Sequence, residues 1–163
     1  MKTRIGLTTI SLAALLITAC QNRSHASFGD EDEAAVRAIF DTAVKRARAN
    51  DWTAWSAVLA DDVIYHPPHT PAIHGREAVL KWANALPHVD AIDFQNVQVW
   101  GDGDIAYGVS DVTMTIHGLP PETGKQVAVM RRSADSKWKV VVVSWNSDLP
   151  MPTASEPAAA AGN

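Results

Sequence analysis

At Val89 the spacing of apolar residues changes from helical to alternating, and it does not change back. Upstream, Val36, Ile39, Phe40, Ala43, Val44 and Ala47 recur every three or four positions, which predicts an amphipathic helix over residues 30–49. Asp30, Glu31, Asp32 and Glu33 suit the positive end of its dipole, and Lys45, Arg46 and Arg48 the negative end. Asn50 can close it in a left-handed conformation, and Asp51 can cap a second helix over 52–59. A third helix is expected over 76–86, stopped by Pro87. Downstream, strands are expected over 92–100, 105–116, 125–133 and 137–147. Their short links imply an antiparallel meander. Helices first and strands afterwards give an α+β fold: one curved sheet of about four long strands, its concave face covered by a long first helix and two shorter ones.

Between the second and third helices lies a stiff segment, residues 60–77, with three of the six histidines. Pro67 and Pro68 remove two backbone donors, so the segment is neither helix interior nor central strand. It reads as two short extended pieces, 63–65 and 72–74, joined by a rigid turn, a suitable place to build a site.

Composition bounds the rest. The chain has 163 residues, 47% of them hydrophobic, and a net charge of −4, which suits one ordinary domain. No Lys/Arg stripe is present, so no nucleic-acid partner is expected. The single cysteine, Cys20, excludes an internal disulfide and any multi-cysteine zinc site. Lys2 and Arg4 precede an apolar run over 5–17 that is too short to span a bilayer and reads as a secretory signal. The run ends Leu16, Ile17, Thr18, Ala19, Cys20, which resembles the bacterial lipoprotein box. That resemblance implies cleavage of a signal peptide over 1–19 and lipidation of Cys20, with more than one acyl chain and therefore stable anchoring. Loss of Lys2 and Arg4 leaves 12 of the 14 basic residues against 18 acidic ones, net −6. Gln21 follows the cysteine in place of the aspartate associated with inner-membrane retention, so an outer-membrane, periplasm-facing location in the cell envelope is expected. Residues 20–30 then form a tether, 31–149 the domain, and 150–163 a disordered tail.

Four stretches carry a family resemblance: Ala49 to Trp52 at the end of the first helix; Leu59 to Tyr65; Ile73 to Val79; and Lys137 to Val140 with Ser144 to Pro150. In this order and spacing the chain resembles the NTF2-like superfamily, in its SnoaL-like/DUF4440 group, over about residues 31–150. The resemblance implies a cone in which a bent antiparallel sheet wraps the first helix, with a hollow at its open end, and homodimers through the outer sheet face. It also points to ketosteroid isomerase, whose base, tyrosine and acid would fall at about Pro67, Ala43 and Ala128. None of the three residue types is present, so that route is not expected.

Candidate chemistry therefore rests on other residues. His66 is the titratable group nearest the missing base and could act as a general base; the alternative is a histidine that only lines the pocket or binds a backbone carbonyl. His66, His69 and His74 do not have a spacing that fixes a metal site, and no metal or cofactor is expected. Asp61 and Asp62 suit backbone capping where the loop starts. Asp111, the one acid in its apolar strand, is either solvent-facing, hydrogen-bonded or a pocket acid. Tyr65, His69, Trp55, Trp82 and Arg131 are candidate ligand contacts; of Arg131 and Arg132, one should face the concave side. Two functions remain open: a pocket for a small apolar molecule, with a cofactor-free lyase or isomerase version based on His66, or a non-catalytic binding or scaffolding module.

Overall fold

The computed structural model describes residues 27–149. The expected signal peptide, Cys20, most of the tether and the tail lie outside the described residues. Helix α1 spans Asp30–Arg48, with its acids in the first turn and its bases in the last. Val36, Phe40 and Ala47 are its buried stripe. Asn50 ends it at φ 52, the left-handed conformation that its sequence position suggested. The Asn50 side chain then grips the next layer: the Val89 backbone N–H donates to its Oδ1 at 2.8 Å, and its Nδ2 donates to the Val89 carbonyl at 3.1 Å.

Helix α2 is shorter than expected, Trp52–Ser56, although Asp51 caps it through Ala54 N–H at 3.0 Å. The missing turn has been claimed by the sheet. Leu59 begins strand β1 (Leu59–His66), which runs parallel to the last strand and pairs Leu59 with Val140. Pairing with a residue 81 positions away (59 to 140) is invisible to local periodicity. β2 is Ile73–His74, and helix α3 is Arg76–Asn84. Strands β3 (Val89–Asp102), β4 (Ile105–Ile116), β5 (Glu122–Arg132) and β6 (Trp138–Ser147) form the antiparallel meander. The sheet therefore has six strands, in the order β2-β1-β6-β5-β4-β3, not four.

Two bulges bend it. In β3 the register slips between Gln95 and Gln98, with Asn96 at φ 54; in β6 the residue between Val140 and Val142 is left unpaired opposite Val129 and Met130. Bulges bend and twist a strand locally, and the sheet curves around α1. Contact between the layers is close at Gly108: a Cβ there would stand 2.6 Å from the Phe40 ring. One end of the interior is closed by Phe28, edge-on to Trp138 at 5.7 Å, and by an ion pair. Arg132 Nη1 donates to Asp32 Oδ1 at 2.5 Å, Trp138 Nε1 donates to the same oxygen at 3.1 Å, and the guanidinium stacks 4.5 Å above the Trp138 ring. The arginine hydrogen bond holds the Asp32 carboxyl well below the ordinary carboxylate range.

Candidate functional site

The other end of the interior is hollow. A cavity of about 70 Å³ lies between the second half of α1, helices α2 and α3, and the concave face of β3 to β6. Four rings form a continuous wall. Trp52 meets Trp55 at 5.7 Å, Trp55 meets Tyr65 at 6.0 Å, and Tyr65 meets Trp82 at 5.3 Å. Helical spacing puts Trp52 and Trp55 on one side of α2, and strand alternation sends Val63 and Tyr65 inward from β1. Burial raises the Tyr65 phenol above its ordinary value, so it remains a neutral hydroxyl.

The floor carries a narrow polar strip. Gln126 lines the cavity and donates through Nε2 to the buried Ser110 hydroxyl at 2.9 Å. Trp145, its cross-strand neighbour, also lines the cavity, and its indole N–H is buried without a partner. The rest of the lining is apolar. Its chemistry is that of a site that holds a hydrocarbon body and offers a few directed hydrogen bonds.

Three of the expected site residues meet at this cavity: Trp55, Tyr65 and Trp82. Four do not. His66 follows Tyr65 on a strand and therefore points to the opposite face, where it is exposed. Asp111 is exposed as well; β4 buries Ala106, Gly108, Ser110, Val112 and Met114, so the odd-numbered residue points out. It accepts a hydrogen bond from Asn96 Nδ2 at 2.6 Å and so holds the β3 bulge. Arg131 is the outward member of its pair and binds Asp62 through Nη2 at 3.0 Å, which lowers the Asp62 pKa; the inward one is Arg132, spent on Asp32. His69, at φ 57 in the proline turn, is exposed, with Nε2 3.4 Å from Glu122 Oε1. Asp61 and Asp62 lie within β1 and pair with Arg76 and Arg131; they do not cap a loop. His66, His69 and His74 are not brought together, and among the described residues no three His, Cys, Asp or Glu side chains converge on one point.

Sequence reasoning missed Ser110 and Gln126, and among the six tryptophans it preferred Trp55 and Trp82 to Trp145. Ser110 and Gln126 were recoverable from strand parity, since each is in phase with the buried residues of its own strand. Trp145 was not, because the β6 bulge reverses parity between Val140 and Val143.

Comparisons with known proteins agree with this architecture. The SnoaL-like domain profile matches residues 36–141. A ketosteroid isomerase-like protein from Erwinia carotovora atroseptica is 21% identical, with a TM-score of 0.63 over 75% of this chain and 100% of that one. An NTF2-like protein of unknown function from Pseudomonas putida is 15% identical, with a TM-score of 0.66 over 76% and 92% of the two chains. A protein of unknown function with a cystatin-like fold from Nostoc punctiforme is 15% identical, with a TM-score of 0.65 over 78% and 98%. Comparison with curated proteins gives no match. A helix-lined, cone-like α+β domain with a curved open sheet defines the NTF2-like class. Within it, this chain belongs to the SnoaL-like domain family. Such distant likenesses establish fold and leave chemistry to the site itself.

Proposed function

We propose that this chain is a lipid-anchored SnoaL-like protein of the DUF4440 kind whose hollow binds a small, largely apolar molecule without a cofactor. The observation that carries the reading is the wall of Trp52, Trp55, Tyr65 and Trp82 around a cavity whose other lining is almost wholly apolar. Ala43 and Ala128, where the isomerase resemblance would require a tyrosine and an acid, also line that cavity, so the corresponding place offers packing in place of proton transfer. With His66 on the opposite face, the His-based isomerase or lyase version loses its base, and ligand binding is favoured over catalysis. In this reading Trp55, Tyr65 and Trp82 contact the ligand. A benzene-sized ring needs a cavity of about 150 Å³. The hollow is smaller than that, so its lining side chains shift when such a ring enters.

Two further parts of the reading concern assembly and address. The outer sheet face presents an apolar row set by register: Trp100 beside Tyr107, then Val129, Val142 and Ile64. Trp100 and Tyr107 are 43% and 45% exposed and stack at 5.2 Å, which supports a homodimer through that face. Lipidation of Cys20 places the domain in the cell envelope, at the outer membrane facing the periplasm.

The test is tryptophan fluorescence and native mass spectrometry of the mature protein against monocyclic and bicyclic aromatics. Binding that weakens at least about tenfold in Trp82→Ala and is unchanged in His66→Ala is expected, tenfold being about 1.4 kcal/mol of lost contact. Undiminished binding in Trp82→Ala, or binding abolished in His66→Ala, refutes the placement of the ligand.

A further inference from the structure

The inward face of β5 reads Gly124, Gln126, Ala128 and Met130, a small and apolar series with one carboxamide set into it. Among the described residues, no charged side chain lines the hollow, and Gln126 is the one carboxamide that does. An amide on an apolar wall costs roughly 1–3 kcal/mol unless it is bonded, and a valine or leucine would pack there without that cost. Gln126 Nε2 donates to the Ser110 hydroxyl at 2.9 Å across the β4–β5 pair, and Ser110 is buried. The amide is planar, so with Nε2 turned to β4 its carbonyl oxygen is turned away from β4. The cross-strand neighbour on the other side, Trp145, does not take that oxygen, because its indole N–H has no partner. What Gln126 holds out to a ligand is therefore an acceptor.

We infer that Gln126 determines the specificity of the hollow. The ligand it selects is a neutral molecule whose polar group is a hydrogen-bond donor, a hydroxyl or an N–H, and that group donates to Gln126 Oε1. A ligand carboxylate or ammonium would leave its charge unpaired among apolar side chains, at far greater cost than a neutral polar group. An ether brings only an acceptor and would face the Gln126 carbonyl with no proton between them. Ser110 acts through Gln126 as a positioning residue: by holding Nε2 it fixes which end of the amide the ligand meets. A methionine at position 126 would fill a similar volume and take the selection away.

The assignment rests on the hollow being a ligand site, and the experiment separates the two ideas. The mature protein is titrated calorimetrically with toluene, phenol and anisole, which carry a methyl, a hydroxyl and a methyl ether on the same ring. Each polar probe is read as the ratio of its affinity to that of toluene, so the cost of drying its polar group cancels between variants. In Gln126→Met the phenol-to-toluene ratio should fall at least about threefold, the lower end for one neutral hydrogen bond, while the anisole-to-toluene ratio holds. Both ratios should hold in Tyr65→Phe, the control for the other hydroxyl-bearing side chain of the lining. In Ser110→Ala the amide is free to turn, and the phenol-to-anisole ratio should narrow at least about twofold. Toluene binding at wild-type strength shows that each variant keeps the hollow intact, and Gln126→Leu repeats the measurement where Gln126→Met does not. A phenol ratio unchanged in the Gln126 variants, or one that falls in Tyr65→Phe instead, overturns Gln126 as the selector and leaves the hollow a ligand site. An anisole ratio that falls as far as the phenol ratio overturns the donor preference, and an unaltered phenol-to-anisole ratio in Ser110→Ala overturns the positioning role. Failure of all three probes to bind at millimolar concentration overturns the reading of the hollow itself, and the assignment with it.

Discussion

Asn50 joins the end of α1 to the start of β3, and replacing it should test how the mouth of the hollow is held. The residue sits at φ 52, where asparagine is tolerated and alanine is strained by roughly 1 kcal/mol. Its side chain makes two hydrogen bonds to the backbone of Val89, which is fully buried, at 2.8 and 3.1 Å. Each contributes about 1 kcal/mol. Asn50→Ala loses both bonds and adds the strain, so about 3 kcal/mol of destabilisation is expected. That is a large part of the roughly 5–15 kcal/mol that holds a domain together, and it corresponds to a melting temperature lower by roughly 10 °C. Asn50→Asp keeps the acceptor for Val89 N–H and tolerates the left-handed backbone, but sets a carboxylate oxygen against the Val89 carbonyl in place of the second bond; about 1–2 kcal/mol is expected, less than for alanine. Urea unfolding followed by tryptophan fluorescence measures both. A loss under about 1 kcal/mol in Asn50→Ala, or an equal loss in the two variants, would show that the Val89 clamp does not contribute what its geometry implies.

Three other outcomes follow from the packing and the charges. Gly108→Ala should destabilise by about 1–3 kcal/mol, the range for overpacking, because the new Cβ meets the Phe40 ring at 2.6 Å; a neutral substitution would mean that α1 lifts freely from the sheet. Tyr65 has its pKa raised by burial, so the folded state keeps a proton that the unfolded state releases; stability is retained below about pH 10 and falls as pH rises above it. Tyr65→Phe should make that alkaline loss shallower in unfolding titrations, and an identical slope would place the phenol in water. Asp32 has its pKa lowered, so its contribution is present above the ordinary carboxylate range and is lost as pH falls through and below it. The acid-unfolding limb of Asp32→Asn should accordingly be flatter than that of the wild type, and an unaltered limb would separate the Asp32–Arg132 pair from acid stability.

Local periodicity carried most of the fold. The stripe of α1, its left-handed Asn50 stop, the Asp51 cap and the limits of β4 at Ile105 and Ile116 were all legible, because each depends on neighbours within a few residues. The site was legible only in its aromatic half. Trp55, Tyr65 and Trp82 are large apolar groups near the proline turn and reach the cavity through ordinary alternation and helical spacing. The polar half was misassigned by one residue at two positions. His66 and Asp111 attract notice in a sequence as lone titratable groups, whereas Tyr65 and Ser110 beside them are the ones that face inward. Chemical prominence is no guide to direction on a strand, where a shift of one residue exchanges core for solvent.

The chain by itself determined its class, its helices, the order of its long strands and which faces seek burial, since these follow from spacing and local backbone preference. Tertiary structure decided the rest. It drew Leu59 out of a helix to pair with Val140, reversed the parity of β6 with a bulge so that Trp145 turned inward, and left Arg131 outside while Arg132 closed the far end. Pairing across long separations and the one-residue slip of a bulge are set by the whole sheet at once, so no local stretch of sequence encodes them.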